Sequence, residues 1–107
     1  MKIISVSDIA QHDGEEVSIQ GWVYKRTGKG KLAFLLVRDG SGFVQCVAFK
    51  GDLDEALFET ISKIPQESSV VITGTVRKDD RAPGLPGGYE IGISTFDVIQ
   101  AAADDYP

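Results

Sequence analysis

The sequence predicts an all-β domain: a five-stranded Greek-key barrel with one helix between its third and fourth strands and a short helix at the N-terminus. Three observations predict it. Five stretches alternate apolar and polar residues with period two, and one stretch between the third and fourth switches to helical spacing. Gly21 and Gly74 fall mid-strand on the inward faces, where closing a small barrel demands sharp bends. An open five-stranded sheet packed on the helix shares the first two features; the glycines favour the closed form.

Each element follows from its residues. In "SVSDIAQHDG" a short helix is expected, with Ser5 or Ser7 as cap and Gly14 closing it. "EVSIQGWVYKR" places Val17, Ile19, Gly21 and Val23 on one face and Ser18, Gln20, Trp22, Tyr24 and Arg26 on the other. The glycine-punctuated "KRTGKGK" reads as a loop, followed by the mostly apolar strand "KLAFLLVRDG". "DGSG" is a tight-turn signal that makes "FVQCVAFK" a hairpin partner. In "GDLDEALFETISKIP", Leu53, Leu57, Ile61 and Ile64 recur at helical spacing, with Asp52 as cap and Pro65 as stop. "SSVVITGTVRK" turns Val70, Ile72, Gly74 and Val76 inward, "DDRAPGLPGG" is a loop, and "YEIGISTFDVIQA" sets Tyr89, Ile91 and Ile93 opposite Glu90, Gly92 and Ser94. Three strands, a helix and two strands is the order of an OB-fold.

Length and composition agree with one ordinary core: 107 residues, 42% hydrophobic and 25% charged. No apolar run approaches the roughly 20 residues of a membrane span, and "MKIISVSDIAQHDGEE" lacks the apolar stretch of a signal peptide. A single cysteine, Cys46, excludes an internal disulfide and suits a reducing compartment, so a cytoplasmic protein is expected.

Charge points to a partner. The net charge is −5, yet Lys25, Arg26, Lys29, Lys31, Arg77, Lys78 and Arg81, seven of the eleven cations, fall in or beside the loops joining strands one to two and four to five. Those loops frame the oligonucleotide face of an OB-fold. Phosphates answer to local patches, so the acidic total permits nucleic acid while opposing strong non-specific binding. A solvated loop that only aids solubility is the bland alternative. Alternation then turns Phe34, Phe43, Gln45, Val47 and Phe49 outward, with Tyr24 and Arg26 on the outer face of the first strand and Glu90 on that of the last. Aromatic rings beside amide and carboxylate groups, ringed by cations, suit single-stranded base recognition. Phe43 and Phe49 are also candidates to pack under the helix or another domain, and Trp22 either stacks on RNA or packs on the N-terminal segment or helix.

"GWVYKRTGKGKLAFLLVRDGSGFVQCV" resembles the N-terminal anticodon-binding domain of class IIb aminoacyl-tRNA synthetases, the aspartyl, asparaginyl and lysyl enzymes. The likeness rests on Gly21-Trp22-Val23, the basic residues, Phe34, Arg38-Asp39-Gly40, Gly42 and Gln45, and covers nearly the whole chain. "GGYEIGI" and "KGK" resemble the asparaginyl branch most, while "APGLPGGYE" carries a short insertion relative to the family pattern. The resemblance implies that Phe34 stacks on the central uridine of the anticodon and Gln45 bonds its Watson–Crick edge. It further implies that Arg26 serves the anticodon and its phosphates and that Glu90 stands near the neighbouring bases. Residues 1–103 are then the binding domain and 104–107 the start of a hinge to a catalytic domain. The stretch itself would activate no amino acid and hold no cofactor, ATP and magnesium belonging to that other domain. As a fragment it would be a monomer; its parent would be a homodimer.

Other motifs carry less. "GKGK" lacks the spacing and trailing hydroxyl of a P-loop. His12 and Cys46 are each single residues of their kind and form no metal site or nucleophilic pair, and Cys46 reads as a small buried hydrophobe. Arg38 and Asp39 read as residues that fix the turn. Two other functions share the features: a general single-strand binder of the same fold, and a protein-interaction module or engineered scaffold using the same face.

Overall fold

The strands form where the alternation places them, because each has one face that is apolar enough to bury and another that tolerates water. A computed structural model describes residues 3–85 and 87–100, and the backbone alone at Lys29 and Leu85. The expected hinge at 104–107, and the last residues of the expected domain, lie outside the described residues. Strands β1 (Glu16–Lys29), β2 (Leu32–Arg38) and β3 (Phe43–Phe49) precede helix α1 (Glu55–Lys63), and β4 (Ser69–Lys78), β5 (Gly84–Leu85) and β6 (Tyr89–Gln100) follow it. The order β2-β1-β4-β6-β3 closes through a β2–β3 pairing, with β5 a two-residue addition on the edge of β3. All pairs are antiparallel except β3 with β6. This is the five-stranded OB-fold barrel that the sequence predicts.

Val17, Ile19 and Val23, Ala33, Leu35 and Val37, Val44, Cys46 and Ala48, Val70, Ile72 and Val76, and Ile91 and Ile93 fill the barrel. Each large side chain among them contributes roughly 1.5–3 kcal/mol by leaving water. From α1, Ile61 is fully buried and Leu57 and Phe58 pack partly buried against the same core. The helix starts one turn-residue pair later than expected, with Asp54 rather than Asp52 at the N-cap. Leu53 stays outside the helix and reaches the core from the approach to it.

Two crossings allow the ring to close. A Cβ on Gly74 would stand 2.1 Å from the Gly92 carbonyl oxygen, and one on Gly21 2.3 Å from that of Arg38. Only hydrogen fits there, as the mid-strand positions suggest.

The N-terminal segment departs from expectation. It forms a 3₁₀ helix, Val6–His12, whose Ser5 cap makes no side-chain hydrogen bond. Its donors are met from the β2–β3 turn instead. The Asp39 Oδ2 accepts the Val6 N–H at 2.8 Å and the Ser41 Oγ accepts that of Ser7 at 3.1 Å, while Asp39 Oδ1 accepts both the N–H and the hydroxyl of Ser41. Val6 and Ile9 are thereby held in the core. Asp39 fixes the turn, as read from sequence, and also ties a distant segment to it. Burial works against its carboxylate, but the Ser41 hydroxyl and the backbone at Val6, Ser41 and Gly42 outweigh it and hold the group below its ordinary 3.8.

Two stability measurements follow from these contacts. Gly74→Ala should lower the unfolding free energy from urea titration by about 3 kcal/mol or more, above the usual ~1–3 kcal/mol of overpacking because the clash is with backbone. Gly28→Ala, whose added Cβ would meet only the Leu32 carbonyl at an ordinary 3.7 Å, should move it by less than about 0.5 kcal/mol. Asp39→Asn should cost about 1 kcal/mol at pH 7. Because the folded carboxyl titrates below the unfolded one, that stabilisation is complete above the unfolded value and is lost as pH falls through the folded one. The gap between wild type and variant should close on acidification past 3.8.

Candidate nucleic-acid interface

Residues directly opposite in a ladder share a face of the sheet, so the register lays out the outer surface row by row. Phe34 pairs with Val47 and Leu36 with Gln45 across β2 and β3. Gln45 pairs in turn with Glu90 and Val47 with Gly92 on β6. Glu90 then faces Arg77, and Gly92 faces Thr75, on β4. One row therefore runs Leu36, Gln45, Glu90, Arg77 and the next Phe34, Val47, Gly92, Thr75. Phe34 and Gln45 are diagonal neighbours, within reach of one ligand. Both are half-buried, neither inside the barrel nor fully in solvent. The Gln45 carboxamide makes no hydrogen bond to any described residue, which leaves its donor and acceptor to a partner. Glu90 is more sheltered, with 16% of its side chain exposed, and pairs with Arg77 at 3.5 Å.

An open cavity of about 360 Å³ adjoins these rows, bordered by Val47, Phe49, Asp52, Thr75, Arg77 and Gly92. Gly92 forms its floor; a Cβ there would press on the Arg77 guanidinium at 3.0 Å. Thr75 could have been found from sequence by continuing the alternation of β4 outward. Asp52 gave no such signal, because the sequence assigned it to the helix cap.

The basic loop is not a loop. Lys25 to Lys29 belong to β1 and pair with β2, so that only Gly30 and Lys31 turn the hairpin. Gly30, at φ +60°, takes the first of the two turn positions, which type II′ hairpins give to glycine. Along β3 this turn borders the Phe49 end and the Ala82–Gly88 loop the Phe43 end, so the cations bracket the face rather than sharing one rim. Lys25, Lys31, Lys78 and Arg81 are exposed; the Lys29 side chain lies outside the description. Arg81 stands 3.7 Å from Asp79, within its own loop.

Arg26 is the residue the structure moves. Pairing slips between Val23 and Lys25, leaving Tyr24 as the extra residue of a β-bulge. Beyond it Thr27 faces Phe34 while Arg26 faces Leu35, which is wholly buried. Tyr24 and Arg26 therefore do not share the outer face. The Arg26 Nη1 donates instead to the carbonyl of Ser62 near the end of α1, where unpaired helix carbonyls favour a cation. Thr27 takes the place on the face that alternation gave to Arg26.

Two of the other aromatic rings meet. Tyr24 and Phe43 have ring centroids 6.0 Å apart, with the Arg38 guanidinium 5.6 Å from the Tyr24 ring. Phe49 is 43% exposed and so is not packed under the helix. Trp22 is equally exposed and lines a second cavity with Ile3 and Ile4 of the N-terminal segment. Cys46, the inward neighbour of Gln45, is fully buried; burial and then the nearby Glu90 charge push its thiol far above the ordinary range.

The tRNA anti-codon family model, described as an OB-fold nucleic acid binding domain, matches residues 17–99. The asparagine–tRNA ligase of Chloroflexus aurantiacus is 48% identical over 103 residues, which are 96% of this chain and 22% of that protein. The crystal structure of asparaginyl-tRNA synthetase from Pyrococcus horikoshii complexed with asparaginyl-adenylate superposes with a TM-score of 0.87 at 38% identity, over 97% of this chain and 23% of that one. A lysozyme-bound OBody, AM3L09, matches with a TM-score of 0.81 at 26% identity, over 95% of this chain and 98% of its own. The chain thus spans less than a quarter of the length of the ligases it matches.

Burial of the thiol has a direct chemical readout. Iodoacetamide at pH 7.5 should leave Cys46 unmodified over hours in the folded protein and label it fully in denaturant. Rapid labelling of the native protein would contradict the position of Gln45, because the two residues face opposite ways from adjacent places on β3.

Proposed function

The chain belongs to the tRNA anti-codon family of OB-fold nucleic-acid-binding domains, and from that starting point we propose that it reads the anticodon loop of a tRNA as the binding domain of an asparaginyl-type ligase. The observation that carries this reading is the register that sets Phe34 diagonally beside an unoccupied Gln45 carboxamide. A half-exposed phenyl ring gives a base a platform, and the amide beside it offers one donor and one acceptor. Uracil presents the complementary pair, N3–H and a carbonyl oxygen, on a single edge. Cytosine reverses the pattern, with N3 accepting and its exocyclic amine donating, so it pairs only if the amide turns over.

Glu90 follows Gln45 along the same row, so a base next to the stacked one meets a carboxylate. A carboxylate favours bases that donate, such as guanine through N1–H and its exocyclic amine. Arg77, paired with Glu90, both holds that carboxylate in place and adds positive charge to the face. Lys25 opposite Leu36, and Lys31 and Arg81 toward the ends of the rows, serve the phosphates. Affinity then comes from phosphates and stacking, and choice of base from Gln45 and Glu90.

On this reading the stretch binds and does not catalyse. Activation of asparagine, with ATP and magnesium, falls to the remainder of a parent ligase working in the cytoplasm as a homodimer. Among the described residues no helix is long and apolar enough to cross a membrane.

Binding to an anticodon stem-loop reading guanine-uridine-uridine tests the proposal. Replacing the central uridine by 3-methyluridine, which removes the N3–H donor, should weaken binding by about 1–3 kcal/mol, the cost of a buried polar group left unpaired. Equal affinity for the two would remove Gln45 as a reader. Phe34→Ala should weaken binding by ~1–3 kcal/mol while leaving the unfolding free energy within about 1 kcal/mol of wild type. A full loss of folding in that variant would instead assign the ring to the core.

A further inference from the structure

We propose that Arg26 is a positioning residue: by holding the β1–β2 hairpin to the end of α1 it decides which side chains of "YKRT" face the nucleic acid, and Lys25 and Thr27 make the contacts there. The inference rests on the nucleic-acid reading above and refines it.

The β1 strand arrives at Tyr24 with one residue too many for its partner. Val23 pairs with Val37 and Lys25 with Leu36, so Tyr24 has no opposite. A bulge of this kind inverts the facing of every residue beyond it and re-aims the strand. Without it, Arg26 would lie on the outer face and Lys25 and Thr27 on the other. With it, Lys25 enters the row of Leu36 and Gln45, and Thr27 the row of Phe34 and Val47.

Nothing in the local sequence forces a bulge at Tyr24. Contacts from α1 and the turn after it do. The Glu67 N–H donates to the Val23 carbonyl at 2.7 Å, and the Val23 N–H donates to the Ser68 carbonyl at 2.9 Å. The Gln66 Nε2 donates to the Tyr24 carbonyl at 3.0 Å, which satisfies the acceptor that the bulge takes out of the ladder. Glu67 adopts φ +70°, and it is the one non-glycine residue with positive φ among those described. A left-handed conformation at a side-chain-bearing residue persists only where its surroundings hold it. Arg26 completes the clamp from the far side of the bulge by donating to the Ser62 carbonyl. Four contacts thus join one short stretch, Ser62 to Ser68, to the two sides of the bulge. The charge of Arg26 is used at the helix end, where the backbone dipoles favour it.

Two measurements separate positioning from phosphate contact. The first is amide hydrogen exchange across Thr27–Leu36 in the ligand-free protein. Arg26→Met, which keeps the apolar stem, should speed exchange there at least tenfold, and Lys25→Met should not. The second is the salt dependence of binding to the guanine-uridine-uridine stem-loop. Lys25→Met should lower the slope of log K against log salt by about 0.7, the value for one phosphate on a single strand. Arg26→Met should weaken binding several-fold at every salt concentration with the slope unchanged. A slope lowered by about 0.7 in Arg26→Met would overturn the proposal by showing a direct phosphate contact. Unaltered hairpin exchange would overturn it whatever the binding result. Should the wild-type protein not bind the stem-loop at all, the nucleic-acid reading fails, and the exchange measurement still decides the clamp.

Discussion

Close backbone approach at two glycines is the constraint from which the rest of this structure follows. With no side chain at Gly21 or Gly74, β1 can bend from β4 toward β2, and β4 can lie against β6 at van der Waals limits. The sheet then closes, each of the five barrel strands finds two neighbours, and the long edges that would otherwise invite pairing with other chains are used up. Closure fixes register, because slipping any strand by one residue would turn its apolar set outward. Register in turn brings Phe34, Gln45 and Glu90, from three strands and distant in sequence, to adjacent outer positions.

A reading surface built this way is rigid where it must be and open where it must be. Gln45 sits between Val44 and Cys46, both buried, so its backbone is held by the core while its amide is left to a partner. Glu90 is steadied by Arg77, and the charge pair lies within a row that includes no other ion pair among the described residues. The acidic chain gathers positive charge on this face and at its ends, from Arg77 and Lys25 in the rows to Lys31 and Arg81 beyond them. Phosphates passing on either side are drawn in, while the remaining surface repels them.

Much of this was legible in the sequence because alternation reports facing directly. The inward sets of β2, β3 and β4 follow from it without exception, and the outward places of Phe34, Gln45 and Glu90 with them. Facing failed at one point, Arg26, and for a physical reason. A bulge is a relation between a strand and its partners, and the residues that enforce this one, Ser62 to Ser68, lie some forty positions away. The same holds for the 3₁₀ helix: its donors are met by Asp39 and Ser41 across the fold, which no local cap pattern can announce. The stretch "KRTGKGK" misled in another way. Its glycines and cations suggest an irregular loop, yet extended pairing with apolar β2 overrides the local preference and reduces the loop to a two-residue turn.

The central claim is that one base lies on Phe34 with its edge against Gln45. Nuclear magnetic resonance of the complex with a uridine-bearing stem-loop tests it most directly. The account predicts strong upfield ring-current shifts of one uracil H5 and H6, cross-relaxation between those protons and the Phe34 ring, and a large shift of the Gln45 side-chain amide protons. Perturbations confined to the second cavity, around Trp22 and Ser69, with Phe34 and Gln45 unmoved, would contradict it.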